Sequence, residues 1–454
     1  MTEELKRVLE KLNVDYAEIH LEEREASGIY YAGKEVETVQ KNNHYVGNIR
    51  TFYKGGWGLV TFNDPSKIEK YAMQAVKMAK LVSTGKGGLK LEKPIKKNVR
   101  VKLDDDPRKV SFEEKRDLVK YYNDMLLKNK KIINTRTGYS ESFMRRWILT
   151  TEGTDIMEER LYSGLSFAAY AKEGPNVQVA FDSVGEQKGW NLVLNLEKKV
   201  ENVAKDAIDL VKAEKVKGGV YTVILDPKLA GTFIHEAFGH LSEADHIYEN
   251  EKIRSIMKIG ERFGPSNLSV IDDGTMYGLR GSLHYDDEGT PSHKTYLIKN
   301  GILTGRLHSK ETAYKMGEEP TGNARAIDYS FPPIVRMTCT YIENGNKSFE
   351  EMIDGIDHGI YAVAALGGQT ELEMFTFSSM KAYMIEKGKI KNMVRDVILS
   401  GNVFETLKNI DAIGNNLTMF GGLGGCGKDG QFPLPVSDGA PHIRIKNVVI
   451  GGKK

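Results

Sequence analysis

His235, Glu236 and His240 stand within six residues of one another, in the run His-Glu-Ala-Phe-Gly-His, and supply the side chains that a metallohydrolase uses. A neutral imidazole is a good nitrogen ligand for zinc, and a glutamate beside a ligand can take a proton from metal-activated water. The spacing is unusual. Histidines four apart share a helix face, whereas five apart they point about 140° away from each other at 3.6 residues per turn. Two local structures would bring them back to one ion: a single π-type turn, or a helix that ends at Gly239 with His240 just beyond it. A catalytic zinc also needs a third protein ligand and one open position. The alternative reading is a pair of helix histidines hydrogen-bonded in a polar interface, with Glu236 solvated.

A source for the third ligand lies near the other end of the chain, in Phe420-Gly-Gly-Leu-Gly-Gly-Cys-Gly-Lys-Asp-Gly430. Gly422 to Lys428 has the spacing of a nucleotide phosphate loop, but Asp429 stands where a Ser or Thr should hold magnesium. Gly430, Pro433 and Pro435 also stop any helix that such a loop must open. The glycines are better explained as letting the backbone approach closely while Cys426 offers a soft thiolate beside two imidazoles. His235, His240 and Cys426 would then hold Zn2+ through two nitrogens and one sulfur, with a fourth position for water. Glu243, three residues after His240, is the alternative third ligand in place of Cys426. His246, His284, His293, His308, His358 and His442 are scattered among turns and strands and read as ordinary histidines. Asp286-Asp287-Glu288 reads as an acidic turn, with the alternative that it orients a ligand from behind.

These residues must be positioned by rigid elements. Tyr221 to Leu225 is a short β-branched and apolar run, and Asp226-Pro227 reads as an N-cap followed by the first helical residue, so a strand feeds directly into the histidine helix. Before it, Thr2 caps a first helix over about 3–12, and Ala17 to Glu22 alternates Ile19 and Leu21 with charges as a one-sided strand. His20 falls on its polar face and is given no function. Residues 27–62 read as an antiparallel meander with Gly turns, and a helix follows Asn63-Asp64-Pro65 to about Val82. Residues 83–97 read as an exposed connection. Ser111-Phe-Glu-Glu114 is a capping box that opens a helix to about Lys130. The strands of 135–183 and the helix of about 196–212 loosely mirror 27–82 as a weak internal repeat. Beyond the histidine helix come short strands, with Asn300-Gly301 and Lys387-Gly388 at hairpin tips and Cys339 buried in mid-strand.

The fold class is therefore α+β. Residues 1–217 form an N-terminal α/β domain of antiparallel sheet and helices, and residues 218–454 a mostly antiparallel β domain carrying the metal-site helix. A chain of 454 residues is too long for one ordinary core. Its 40% hydrophobic and 28% charged residues are those of a soluble globular protein, and a net charge of +2 gives no reason to expect nucleic acid or an anionic membrane as partner. Two cysteines cannot form a disulfide framework, no stretch approaches a membrane span, and the first residues lack the apolar core of a signal peptide. The expected location is cytoplasmic.

The His-Glu-Ala-Phe-Gly-His run, the Gly-Gly-Leu-Gly-Gly-Cys-Gly-Lys loop, Asp-Asp-Glu-Gly-Thr at 286–290, Pro-Thr-Gly-Asn at 320–323 and Gly-Asn-Val-Phe-Glu-Thr-Leu at 401–407 occur in one order that resembles the TldD/PmbA family of metallopeptidases. Asp15 to Ile19 and Gly55 to Leu59 resemble it as well, so the likeness runs over nearly the whole chain. The resemblance implies a two-domain protein that holds zinc through His235, His240 and Cys426, with Glu236 as general base. It implies hydrolysis of unfolded or extended peptides in the cytoplasm, and a dimer, either a homodimer or a pair with a metal-free PmbA/TldE-like homologue. With the motif intact, the chain resembles the metal-binding, TldD-like members. The competing functions are a non-catalytic peptide-binding subunit with structural zinc, a zinc hydrolase of a non-peptide amide, and a cysteine hydrolase built on Cys426.

Overall fold

Long alternating segments make the first half of the chain a single twisted sheet. In the computed structural model, which describes residues 2–371 and 373–451, the strands Tyr16–Ala32 and Glu35–Tyr53 pair antiparallel along most of their length. The strands Ile132–Thr150 and Asp155–Glu173 form a second long hairpin, and the two hairpins join edge to edge through Tyr16–Ala32 and Ile132–Thr150. Gly56–Phe62 extends one edge, while Lys96–Val99 and Asn176–Glu186 share the other. The element order helix, three strands, helix thus occurs twice, with helices Thr2–Glu10 and Ile68–Leu81 around the first three strands and Phe112–Leu127 and Glu197–Leu210 around the second. Ser111 caps its helix as expected, its hydroxyl accepting from the Glu114 backbone N–H at 3.1 Å. The connection over 83–95 carries no regular structure.

Each pair of helices buries its apolar stripe on the sheet. Leu5, Val8 and Ala72 pack on Ile19, Leu21 and Ile49, and Val119, Leu126 and Val203 pack near Ile29, Leu165 and Phe167. The alternate residues of the same strands point to the other face, where the sequence suggests solvent. The structure corrects that expectation. Glu18, His20 and Glu22 are at most 2% exposed, because the C-terminal half covers them. His20 Nδ1 lies 2.9 Å from Asn48 Oδ1 and its ring stacks on Tyr329. The acidic segment 286–288 is a turn, as the sequence suggests, and it is buried: Glu288 pairs with Arg50 at 3.0 Å, Asp287 pairs with Arg146, and Asp286 accepts backbone N–H groups from Glu288, Thr290 and Ala324. A row of ion pairs between buried partners therefore joins the halves.

The second half contains two larger sheets. In one, Gly219–Leu225 lies between His358–Glu371, with which it runs parallel, and Ile443–Gly451. That sheet continues through Ile398–Asn402 to Met374–Glu386, which pairs back onto His358–Glu371, so the ladder closes on itself. The other sheet has six strands and includes Val270–Asp273, Cys339–Ile342 and Ser437–Ala440. Asn300 and Gly301 both take positive φ at the tip of the 294–303 hairpin, and Lys387 and Gly388 do so at theirs, as the turn residues predict. Cys339 is fully buried in its strand. The observed class is α+β with mixed, mainly antiparallel sheets.

Candidate metal centre

The site begins where Gly219–Leu225 ends. Asp226 caps the next helix, its carboxylate accepting from the Leu229 N–H at 2.8 Å, and Pro227 opens it. The same carboxylate accepts from Ala364 N–H at 2.9 Å, which ties the cap to the neighbouring strand. Phe233, Ile234, Ala237 and Phe238 bury the apolar side of this segment in the main core. The helix is regular over Pro227–Ile234 and widens to a π turn over His235–Gly239, where the His240 N–H donates to the His235 carbonyl. That bond spans five residues and returns the two histidines to one side, the first of the two arrangements open to the sequence. Gly239 keeps an ordinary helical φ of −56°, so its role is packing: a Cβ there would lie 2.0 Å from Met337 Sδ.

The two imidazoles stand nearly perpendicular, with ring centres 5.3 Å apart. Each is held by its Nδ1. His235, 3% exposed, has Nδ1 2.8 Å from Asp438 Oδ1, an ion-pair contact whose angle is too bent for a regular hydrogen bond. His240 Nδ1 lies 3.1 Å from Glu243 Oε2. On the other side of its ring, His240 Nε2 lies 3.2 Å from Cys426 Sγ. His235, His240 and Cys426 each offer one ligand atom, and the three atoms lie within 4.8 Å of one another. Cys426 starts the short strand Cys426–Lys428, paired with Gln431–Leu434, and Gly425 lies so close to the Leu434 backbone that a Cβ would meet its carbonyl at 2.5 Å.

The electrostatics suit a cation. Burial pushes the Cys426 thiol up, but His235 and His240 more than reverse this and bring it to about 5. Burial opposes charge on His240 as well, yet Glu243 and Cys426 carry it to about 10, and burial of His235 is overcome in the same way by Asp438 and Cys426. A thiolate among polarised imidazoles is a donor set ready to exchange protons for a metal. A tetrahedral zinc, with bonds of about 2.1 Å to nitrogen and 2.3 Å to sulfur, holds its donors about 3.4–3.6 Å apart, and donors within 4.8 Å of one another, one pair at 3.2 Å, reach that spacing by side-chain shifts of about an ångström. The residues therefore fit the ion.

Glu236 lies on the open side. Its side chain is 28% exposed with Oε2 3.9 Å from His240 Nε2, and burial raises its carboxyl above the usual range. With His240 it borders an open cavity of about 1310 Å³, rimmed also by Gly368, Gln369, Thr370, Gly425 and Phe432.

Glu243 does not take the place of Cys426, contrary to the alternative raised from the sequence. It is fully buried between His240 Nδ1 and Lys428 Nζ, the latter at 3.1 Å, and these charges hold its carboxyl at about 2 despite burial. Glu243, Asp245 and His246 also cluster closely enough for a metal, but the Lys428 ammonium already lies 2.7 Å from Asp245 and fills the cation's place. His308 is buried against Glu318 and Thr312, well paired and separate from this cluster. Sequence reasoning missed Asp438 and Lys428. Asp438 reaches His235 because a tightly packed strand meets the helix, where a Cβ on Gly231 would lie 2.9 Å from Gly439 N. No local pattern announces such a contact. Lys428 does carry a signal, since it stands two residues from Cys426 in an extended segment and so shares its face of the strand.

Comparison with known proteins places this architecture. The profile of the PmbA/TldA metallopeptidase C-terminal domain matches residues 218–452, that of the central domain 105–214, and that of domain 1 17–79. This chain belongs to the PmbA/TldD family. Among its PmbA/TldD relatives, a metalloprotease of Synechocystis is 42% identical over 96% of this chain and 95% of its own length. A protein of Saccharolobus solfataricus named as a zinc metalloprotease TldD homolog is 32% identical over 78% of this chain and 79% of its own. The crystal structure of TldE from Thermococcus kodakarensis shares the fold, with a TM-score of 0.80 at 23% identity, covering 99% of this chain and all of that one. The chain is thus a member of a metallopeptidase family, and no helix among its described residues is long and apolar enough to cross a membrane.

Proposed function

We propose that the chain is a zinc-dependent peptidase that cleaves peptide bonds in unfolded or extended peptides, with His235, His240 and Cys426 as zinc ligands and Glu236 as general base. The observation that carries this reading is the convergence of two imidazole nitrogens and one thiol sulfur beside a carboxylate that faces an open cavity. Zinc bound there supplies Lewis acidity, polarising a peptide carbonyl and acidifying water. Glu236 accepts the proton of the attacking water and delivers it to the leaving amine. Asp438 and Glu243 fix the imidazoles by their Nδ1 atoms, keeping Nε2 toward the metal. The rim at Gly368 to Thr370, at the end of a long hairpin, offers backbone groups along which an extended peptide can lie as an added strand. Main-chain pairing of that kind ignores side chains, so the specificity is for extended chain over folded protein.

The working form is a dimer in the cytoplasm, formed with a second copy or with a metal-free PmbA/TldE-like homologue. The test is Glu236→Gln. The variant keeps stoichiometric zinc and loses at least about 100-fold in peptide turnover, the usual worth of a positioned proton acceptor. Turnover close to that of the parent protein would end the proposal.

A further inference from the structure

A second cavity, of about 220 Å³, lies between the two halves of the chain. Four guanidinium groups border it: Arg24 and Arg160 from the first half, Arg280 and Arg325 from the second. Among the described residues the carboxylates on its walls are Glu22 and Asp287, and both are engaged, Glu22 with Arg24 at 2.8 Å and Asp287 with Arg146. Arg160 shares Glu158 with Arg146. Of the five guanidiniums, Arg24, Arg146 and Arg160 therefore pair with Glu22, Glu158 and Asp287, and burial pushes Glu22 toward neutrality by raising it to about 7.

The excess sits on Arg280 and Arg325. Among the described residues neither guanidinium makes an ion pair; Glu186 accepts from the backbone N–H of Arg280 at 2.6 Å and acts on its guanidinium only from farther off. Arg325 is 3% exposed and donates only to the carbonyls of Met337 and Pro435. Burial, with Arg160 and Arg336 adding to it, lowers it to about 10. The Nε of Arg280 and of Arg160 are both shielded from water and have no hydrogen-bond partner, although the Arg160 side chain is only 8% exposed. Arg325 uses its fork in part on two carbonyls, and Arg160 uses part of its own on Glu158 and the Tyr285 carbonyl, whereas Arg280 has no such partner for its Nε. Buried guanidinium N–H groups left without acceptors cost free energy unless something else accepts from them.

We propose that this cavity is a binding site for an oxyanion, a carboxylate or phosphate group gripped by Arg160, Arg280 and Arg325. Planar guanidinium forks match the paired oxygens of such groups, and Tyr162, Leu283 and Leu434 give the rest of a small organic anion an apolar wall. The site is one strand away from the metal centre, since Leu434 is the ladder partner of Cys426. The anion comes either from a free small molecule or from the carboxylate terminus of a peptide.

The experiment uses the full-length chain in excess chelator, so that phosphate cannot bind zinc and no peptidase activity is needed. Binding is followed by calorimetry and by thermal unfolding at constant ionic strength set with chloride. The probes are inorganic phosphate, benzoate, and one short peptide with a free or an amidated C-terminus. Saturable binding of phosphate or benzoate, weakened at least about tenfold in Arg280→Gln and unchanged in the exposed control Arg116→Gln, supports the site and a free anion. Tighter binding of the peptide acid than its amide, with the same dependence on Arg280, supports the site and a peptide terminus. If Arg280→Gln does not fold, Arg280→Lys keeps the charge without the fork and weakens binding several-fold. No saturable binding of any probe, or binding indifferent to both substitutions at Arg280, overturns the proposal, and neither result bears on whether the metal centre is a peptidase.

Discussion

Replacing Glu243 by Gln tests whether the metal centre is organised from behind its ligands. The carboxylate is fully buried, with Oε2 3.1 Å from both His240 Nδ1 and Lys428 Nζ. The amide keeps the size and one acceptor but removes the charge, turning two charge-assisted contacts into weaker ones, each losing about half its strength. His240 is then free to rotate or to present the wrong tautomer, and Lys428 keeps only Asp245, at 2.7 Å, as an anionic partner. Outer contacts of this kind are typically worth about 10–100-fold in metal affinity, or about 1.4–2.7 kcal/mol. The assay is competition for zinc against a chromophoric chelator, with the thermal stability of the metal-free protein measured alongside to separate a site effect from general unfolding. Turnover at saturating zinc falls much less than affinity, because Glu236 and the ligands are still present. Zinc affinity within twofold of the parent would refute the idea that Glu243 positions His240.

Other substitutions give distinct outcomes. Cys426→Ala leaves two imidazoles and should lose stoichiometric zinc on dialysis, read by metal analysis; retention of tightly bound zinc would remove the thiol from the ligand set. Gly239→Ala drives a methyl into buried Met337, with a cost of about 1–3 kcal/mol in unfolding free energy and weaker zinc binding as the π turn shifts; an unchanged melting temperature would show the turn to be forgiving. Glu22 is raised to about 7, chiefly by burial, so the stability linked to its protonation is full below about pH 4.5 and is lost as pH rises through 7. Glu22→Gln should therefore flatten the pH dependence of stability in that window and stabilise the protein at pH 8 by up to about 3 kcal/mol, measured by denaturant unfolding.

Much of the centre was legible because its information is local. A five-residue histidine spacing admits few solutions, and the π hydrogen bond from His240 to His235 is one of them. The Asp226-Pro227 cap fixed where the helix starts, and the glycines around Cys426 pointed to a close backbone approach that the Leu434 contact explains. The hairpin tips followed from Asn300-Gly301 and Lys387-Gly388. What was not legible depends on partners far along the chain. Glu18, His20 and Glu22 alternate like any solvent-facing row, and only the docking of residues 286–331 over them makes that face interior. Asp438 lies 203 residues from His235, and nothing in its own strand signals the contact. Gly239 reads in the sequence as a point where the helix can end, whereas the structure continues through it in a π turn and Met337 makes it a space requirement.

The central claim is that the chain is a zinc peptidase, and it is tested most directly by assaying cleavage of an unfolded polypeptide while counting bound metal, before chelation, after it, and after zinc is restored. The account predicts about one zinc per active chain, cleavage that disappears with the metal and returns with zinc, and resistance of the same polypeptide when folded, with a metal-free homologue added where the chain alone is inactive. Cleavage that survives complete removal of metal, or a fully zinc-loaded chain that cleaves no peptide alone or with that homologue, would contradict it.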